Sequence, residues 1–148
     1  MIKSYLKYLL VALVVIGIDQ YIKYVVVSGF RINGSCISGV LTYNKGVAFS
    51  MFAFLDEYLK WIQLTFLIGM MFYVFKYLAH RQYLIPISLI IGAGISNISD
   101  RFVYGGVVDY VYWHCGFDFA IFNFADVVID FGVVIILYIA YQNEKKAK

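Results

Sequence analysis

The stretch FNFADVVIDFGVVIILYIAY, residues 122–141, decides the fold. It has the length of about 20 residues that a helix needs to cross a bilayer, and its only charged residues are Asp126 and Asp130. A carboxylate at the edge of hydrocarbon is costly, so an acid that is retained there usually has a task. The stretch therefore predicts a membrane helix with a functional acid at its mouth.

The rest of the chain has the composition of a membrane protein. Of its 148 residues, 63% are hydrophobic and 14% are charged, and the mean hydropathy is +0.81. Soluble domains contain only about 45–50% apolar residues. The basic residues form no dense stripe with interleaved aromatic residues, so we expect no nucleic-acid partner. The length predicts one domain over residues 1–148.

Three further segments reach the length of a membrane span. We expect four transmembrane helices, over about 5–27, 59–78, 83–99 and 121–141. Helices satisfy their own backbone hydrogen bonds in lipid, and no segment alternates like a barrel strand, so the predicted fold class is an all-α membrane protein. Ser88, Gly92 and Ser96 share one face of the third helix and predict a close helix contact.

The distribution of Lys and Arg predicts the orientation. With both termini in the cytoplasm, the inner side collects Lys3, Lys7, Lys76, Arg81, Lys145, Lys146 and Lys148, whereas the outer side collects Arg31, Lys45, Lys60 and Arg101.

The two outer loops are rich in glycine, aromatic and β-branched residues. Val40–Tyr43 and Val107–Trp113 predict short strands, and Phe49–Leu55 predicts a short interfacial helix, so we expect a small β-rich cap outside the membrane. Cys36 and Cys115 lie in these loops. A disulfide between the loops would suit an oxidising compartment, but two free thiols are the simpler interpretation.

Several polar residues have spacings that predict contacts on one helix. Asp19 and Lys23 are four residues apart, which suits either a buried ion pair or a direct functional role. Asn97, Asp100 and Arg101 share a face at the outer end of the third helix. The two charged residues there either end the helix at the interface or provide a guanidinium that holds a carboxylate or a substrate carbonyl.

The fourth helix has a second pattern of this kind. Asn123 and Asp126 have the spacing of an N-cap residue and an acid at the third helical position. Asp130 lies one turn deeper, and its simplest role is a hydrogen bond to a neighbouring helix.

Other catalytic motifs are missing from the sequence. There is no HExxH, GxSxG or cysteine–histidine cluster, and the adjacent His114 would point away from Cys115 in a strand. We therefore expect no metal and no cofactor. Carboxylates remain, because two acids within reach of each other can share a proton and activate a water molecule.

Five motifs in order resemble the bacterial lipoprotein signal peptidases, or signal peptidase II, which are aspartic membrane proteases. The resemblance covers nearly the whole chain. The motifs are DQxxK at 19–23, NKGVAFS at 44–50, GAGISNISDR at 92–101, GVVDY at 106–110 and FNFAD at 122–126.

The resemblance implies a reaction and a set of site residues. Asp109 and Asp126 would be the catalytic dyad. The substrate would be a diacylglyceryl-modified prolipoprotein cut before its lipidated cysteine, at the outer face of the bacterial inner membrane, with lipid chains entering from the bilayer. The resemblance assigns the remaining motif residues to supporting roles: Asn44, Asn97, Arg101 and Asn123 would orient the substrate or the dyad, Asp19, Lys23 and Asp100 would hold helices and loops, and Gly46 would allow a tight backbone.

The sequence departs from the usual pattern of this family at three positions. Ser96 stands where glycine is usual, Tyr110 stands where phenylalanine is usual, and Asp130 is an additional acid. Two other functions compete with a protease: a proton-coupled carrier that uses the buried acids as a relay, and a scaffold whose polar residues only hold helices together. The oligomeric state is open, and a monomer is the simplest expectation.

Overall fold

The structure, a computed structural model, describes the backbone of residues 2–47, 51–55, 57–77 and 81–147, and within them the side chains of residues 6–74 and 82–147. The described residues form four α-helices near the predicted segments: α1 (Ile2–Val27), α2 (Glu57–Tyr77), α3 (Leu84–Tyr104) and α4 (Phe124–Ala147). The third helix does not end near Ser99 as predicted. It continues to Tyr104, where Gly105 adopts a left-handed conformation with φ of 73° and terminates it.

Helix α3 lies at the centre of the bundle, with α1 and α4 packed closely against it and α2 packed mainly against α3 alone. The predicted close contact occurs at Gly92, where an added Cβ would lie 2.7 Å from the carbonyl oxygen of Ala12. At Gly132 of α4, an added Cβ would lie 3.0 Å from the carbonyl oxygen of Pro86. Small residues thus let three backbones approach one another.

The bundle is apolar outside and polar inside, the reverse of a soluble protein. Large apolar side chains such as Leu13, Phe66 and Leu137 are more than half exposed, while Asp19 and Lys23 are buried. By length and composition, the segments Leu6–Val27 and Phe124–Ala147 can each cross a membrane. The exposed apolar surface therefore suits contact with lipid.

A three-stranded antiparallel sheet forms the cap. Its strands are β1 (Ile32–Asn33), β2 (Ile37–Asn44) and β3 (Val107–Trp113), in the order β1-β2-β3. Both predicted strands are present, although β2 begins three residues earlier than predicted, at Ile37. The register pairs Thr42 with Asp109 and Asn44 with Val107. The strands thereby bring two motifs of the sequence side by side.

Part of the predicted interfacial helix over Phe49–Leu55 lies outside the described residues. The described part contains only a three-residue 3₁₀ turn, Ala53–Leu55. Phe52 precedes this turn with a positive φ of 60°, which a helix does not accommodate. The described part is therefore a tight turn rather than an α-helix.

The cap is fastened by a disulfide between Cys36 and Cys115. The simpler interpretation of two free thiols is therefore wrong. The register explains the pairing, because Ile37 lies opposite Trp113 and the backbone N–H of His114 donates to the carbonyl oxygen of Cys36 at 2.9 Å. The bond joins the turn between β1 and β2 to the loop after β3, across 79 residues of sequence.

Candidate active site

The first turn of α4 holds Asp126 by a reciprocal cap. Asn123 precedes the helix, and its side-chain Oδ1 accepts from the backbone N–H of Asp126 at 2.9 Å. In return, Oδ2 of Asp126 accepts from the backbone N–H of Asn123 at 3.1 Å. This is the predicted arrangement of a cap residue and an acid three residues later. It fixes the Asp126 carboxylate at the positive end of the helix dipole.

Asp109 reaches the same place from β3. Its Oδ2 accepts from Nδ2 of Asn44 at 3.0 Å, because the adjacent strand β2 ends there. Its Oδ1 accepts from Nδ2 of Asn123 at 2.6 Å. Asn123 therefore binds Asp109 through its side chain and Asp126 through its backbone and side chain. We refer to Asp109 and Asp126 as the carboxylate pair.

Asn97 of α3 joins the carboxylate pair to the interior of the bundle. Its Nδ2 donates to Oδ1 of Asp126 at 2.9 Å. Its Oδ1 accepts from Nδ2 of Asn123 at 3.2 Å and from Nζ of Lys23 at 2.8 Å. Three amide side chains, those of Asn44, Asn97 and Asn123, thus orient the two carboxylates.

The surroundings raise the pKa of Asp109 to about 6. Burial is the largest cause, since the side chain is only 2% exposed, and the charge of Asp126 is the second. Hydrogen bonds from Asn44 and Asn123 and the charge of Lys23 oppose the shift without cancelling it. Asp109 is therefore protonated more easily than an exposed carboxyl group.

A second group of charges lies directly beneath the carboxylate pair. Nζ of Lys23 contacts Oδ2 of Asp19 and Oδ2 of Asp100, each at 2.6 Å, and all three side chains are almost fully buried. We call these residues the charged trio. The predicted Asp19–Lys23 ion pair is confirmed. Asp100 does not end α3 at the interface but faces inward to complete the trio.

The charged trio also holds the backbone next to each member of the carboxylate pair. Oδ1 of Asp19 accepts from the backbone N–H of Ala125, the residue before Asp126, at 3.0 Å. Oδ2 of Asp100 accepts from the backbone N–H of Val108, the residue before Asp109, at 3.1 Å. The trio therefore fixes the positions from which both carboxylates project.

Arg101 supports the loop that follows β2. Nη1 donates to the carbonyl oxygens of Asn44 and Lys45 at 3.4 and 3.2 Å, and Nη2 donates to that of Gly46. The backbone N–H of Gly46 donates to Oδ1 of Asn44 at 2.9 Å, which tightens the turn. The guanidinium thus binds protein carbonyls rather than a carboxylate, and Ala48, Phe49 and Ser50 of this motif lie outside the described residues.

A family model and individual relatives of this chain point to the same family. Residues 11–142 match the family model described as Signal peptidase (SPase) II. The chain is 58% identical over 125 residues to a lipoprotein signal peptidase of Sulfurimonas denitrificans, which covers 84% of this chain and 81% of that protein. It is 50% identical over 145 residues to one of a Sulfurovum species, which covers 98% and 99% of the two chains.

The chain belongs to the signal peptidase II family. It is therefore a peptidase and a membrane enzyme. The fold agrees, since a solved structure described as a bacterial membrane enzyme superposes with a TM-score of 0.83 at 24% identity, over 96% of this chain and 92% of the other.

Two departures from the usual pattern of the signal peptidase II family add hydrogen bonds. Oγ of Ser96 donates to Oδ2 of Asp19 at 2.7 Å and accepts from Nε2 of Gln20 at 2.8 Å. The hydroxyl of Tyr110 accepts from the backbone N–H of Phe124 at 3.0 Å. Both hydroxyl groups thus strengthen the frame around the charged trio or α4.

The third departure, Asp130, does not behave as predicted. Its side chain is exposed and forms no hydrogen bond or ion pair with any described residue, so the predicted contact with a neighbouring helix is wrong. The reason is the packing of the bundle, in which α4 packs against α3 and α1 but not closely against α2.

Sequence reasoning missed one supporting residue of this candidate site, Gln20. Its Nε2 also donates to Oδ1 of Asp100 at 2.8 Å, which binds α1 to α3 beside the charged trio. Its place inside the DQxxK motif was the available signal. Among the described residues, no three His, Cys, Asp or Glu side chains form a group that could hold a metal ion.

Proposed function

We propose that this peptidase removes the signal peptide from prolipoproteins whose cysteine carries diacylglycerol, and that it cuts the chain just before that cysteine. Membership in the signal peptidase II family supports the removal of lipoprotein signal peptides. The observation that carries the chemistry is the double role of Asn123, which binds both Asp109 and Asp126. The substrate specificity comes from the family resemblance.

In this proposal, Asp109 and Asp126 are the catalytic dyad. Two close carboxylates do not easily ionise together, so one keeps a proton. The ionised carboxylate removes a proton from water, whose oxygen attacks the scissile carbonyl carbon, while the protonated carboxyl donates a hydrogen bond to the carbonyl oxygen. When the C–N bond breaks, a carboxyl group gives a proton to the leaving amine. Each acid–base step contributes a rate factor of about 10²–10⁴.

The surrounding residues would keep this dyad in place. Asn44, Asn97 and Asn123 hold the carboxylates, and Arg101 and Gly46 shape the loop that follows β2. Asp19, Lys23 and Asp100 hold the two backbones. Because Asp126 is only partly buried, the carboxylate pair has one open side that substrate can approach.

The proposed topology has four membrane spans, both termini in the cytoplasm and the active site at the outer face of the bacterial inner membrane. The distribution of Lys and Arg supports it. The disulfide between Cys36 and Cys115 also supports it, because such bonds form and persist in oxidising compartments. Lipid chains of the substrate would enter sideways from the bilayer.

The experiment uses the full chain in lipid nanodiscs with two forms of one prolipoprotein, with and without diacylglycerol on the cysteine. We expect cleavage of the lipidated form only, and mass spectrometry should place the new amino terminus at the modified cysteine. Asp109→Asn and Asp126→Asn should each abolish cleavage while the protein still folds. Normal cleavage by both variants would exclude the dyad, and equal cleavage of both substrates would exclude the lipid requirement.

A further inference from the structure

A separate apolar cavity of about 310 Å³ lies between the outer end of α1 and the sheet. Helix α1 contributes Ile22, Val25 and Val26 to its wall, and the sheet contributes Ile37 and Tyr110. Its volume falls within the range of about 300–1,000 Å³ found for small-molecule sites. In a membrane protein, an open cavity with an apolar wall is suited to bind an acyl chain.

The cavity lies beside the part of β3 that follows Asp109. Tyr110 and Val111 both line it, and Tyr110 also binds the backbone of Phe124. Asp109 instead faces the amide groups of Asn44 and Asn123. Neither the carboxylate pair nor the charged trio lines the cavity. A molecule in the cavity therefore contacts the strand that carries Asp109, directly next to that residue.

A cation lies at the rim of the cavity. Arg31 is exposed between Phe30 and Ile32, which both line the cavity. Its Nη1 donates to the carbonyl oxygens of Val26 and Phe30, each at 2.6 Å. Its Nη2 and Nε donate to no described residue, and it forms no ion pair within the described part of the chain. The guanidinium is thus oriented by the protein and retains donors for an anion, such as a phosphate group.

We propose that this cavity binds one acyl chain of an anionic phospholipid of the surrounding bilayer, with the phosphate of that lipid on Arg31. An acyl chain matches the apolar wall, and the charge of Arg31 matches the headgroup. A bilayer lipid fits better than the lipid of a substrate, because neither Asp109 nor Asp126 lines the cavity. The bound lipid would contact β3 at Tyr110 and Val111 and so position the neighbouring Asp109.

The test measures lipid binding by native mass spectrometry of the full chain, titrated with phosphatidylglycerol, phosphatidylcholine or diacylglycerol. We expect phosphatidylglycerol to bind most tightly. Val25→Trp should fill part of the cavity and weaken that binding by about tenfold, equivalent to two buried methylene groups lost from the contact. The matched control is Val14→Trp, on an exposed position of the same helix outside the cavity, which should bind as the unmodified chain does.

The headgroup contact is tested separately. Arg31→Gln should weaken phosphatidylglycerol binding by about fivefold, as expected for one basic residue near a lipid headgroup, and should leave diacylglycerol binding unchanged. Lys60→Gln removes a cation at the outer end of α2, away from the cavity, and should have no effect. Diacylglycerol that binds as tightly as phosphatidylglycerol would overturn the headgroup assignment, and equal binding by the two tryptophan variants would overturn the cavity assignment.

A measurement on the unmodified chain avoids any effect of substitutions on folding. A phosphatidylglycerol with a photoreactive group on one acyl chain should label peptides that contain Val25 or Ile37. Labelling confined to other helices would overturn the site. Competition by a diacylglyceryl-modified precursor would also overturn it, because the occupant would then be the substrate rather than a bilayer lipid.

Discussion

Two neighbouring groups of carboxylates, in the charged trio and in the carboxylate pair, differ in the groups that bind them. In the charged trio, Asp19 and Asp100 share the ammonium group of Lys23 at 2.6 Å each. In the carboxylate pair, the hydrogen bonds that Asp109 and Asp126 accept from described residues all come from amide groups.

In the proposed mechanism, this difference separates a structural role from a reactive one. Removal of one partner from a buried ion pair is strongly destabilising. Carboxylates held by neutral donors keep their orientation, yet one of them can take up or release a proton. The trio therefore acts as a positioning group for the two backbones, and the carboxylate pair retains the freedom that general acid–base catalysis requires.

The largest expected effect concerns the carboxylate pair acting as one unit. Asp109→Asn and Asp126→Asn should each lower the single-turnover rate of precursor cleavage by at least about 10²–10⁴-fold. The double variant should lose little more than either single variant, because groups that act together are not additive. Asp118→Asn, an exposed acid of the cap that binds Tyr112, is the matched control. If the rate loss of the double variant equalled the product of the two single losses, the two carboxylates would act independently.

The next effect concerns stability and the charged trio. Lys23→Met should lower the free energy of unfolding by about 3–5 kcal/mol, because two buried carboxylates lose their counter-ion. Lys60→Met removes the surface ion pair with Glu57 and should cost less than about 1 kcal/mol. Thermal and denaturant unfolding in detergent would measure both. A small loss for Lys23→Met would mean that the trio is not the stabilising group.

A third prediction uses the pKa of Asp109, about 6 in the folded protein and 3.8 as the ordinary value. Between these values the folded state binds more protons than the unfolded state, so stability falls as pH rises through this window and levels off above it. The contribution of Asp109 should be no more than about 3 kcal/mol. Unfolding measured between pH 4 and 7.5 should show a smaller decline for Asp109→Asn, and equal slopes would contradict the assignment.

The smallest expected effects belong to the hydroxyl groups that depart from the family pattern. Tyr110→Phe removes a hydrogen bond between neutral groups and should cost about 0.5–1.5 kcal/mol of stability, whereas Ser96→Gly removes a hydrogen bond to the Asp19 carboxylate and should cost about 1.5–3 kcal/mol. Cleavage should continue in both variants, since neither hydroxyl binds Asp109 or Asp126. Complete loss of cleavage in either variant, with the fold intact, would place that hydroxyl in the chemistry.

Contacts between residues close in sequence could be predicted, and contacts between distant residues could not. The Asp19–Lys23 pair and the Asn123 cap follow from helical spacing, which sequence alone shows. The Asn44–Asp109 bond depends on the register of β2 and β3, and the Cys36–Cys115 bond depends on the same register. The spacing of residues along the chain does not predict that register, because the register is set by the packing of the sheet on the helix bundle.

The exposure of Asp130 is a second example of a result that depends on residues distant in sequence. Its position one turn after Asp126 was correct, but helical spacing does not tell whether a neighbouring helix covers that side of α4. In the structure α2 packs mainly on α3, so the expected partner is absent among the described residues. Which helices become neighbours depends on the whole bundle, and this arrangement leaves Asp130 exposed.

The contact at Gly92 has a consequence for the permeability of the membrane. Acids buried in a membrane protein invite water and protons, and a continuous polar path would discharge the ion gradient. Inward from the charged trio, α1 presents Val15, Ala12 and Tyr8 as its buried side chains, and Gly92 presses directly on the backbone of Ala12. This tightly packed seam argues against a proton carrier. In the proposed topology and reaction, it would separate the water used at the outer active site from the cytoplasmic side.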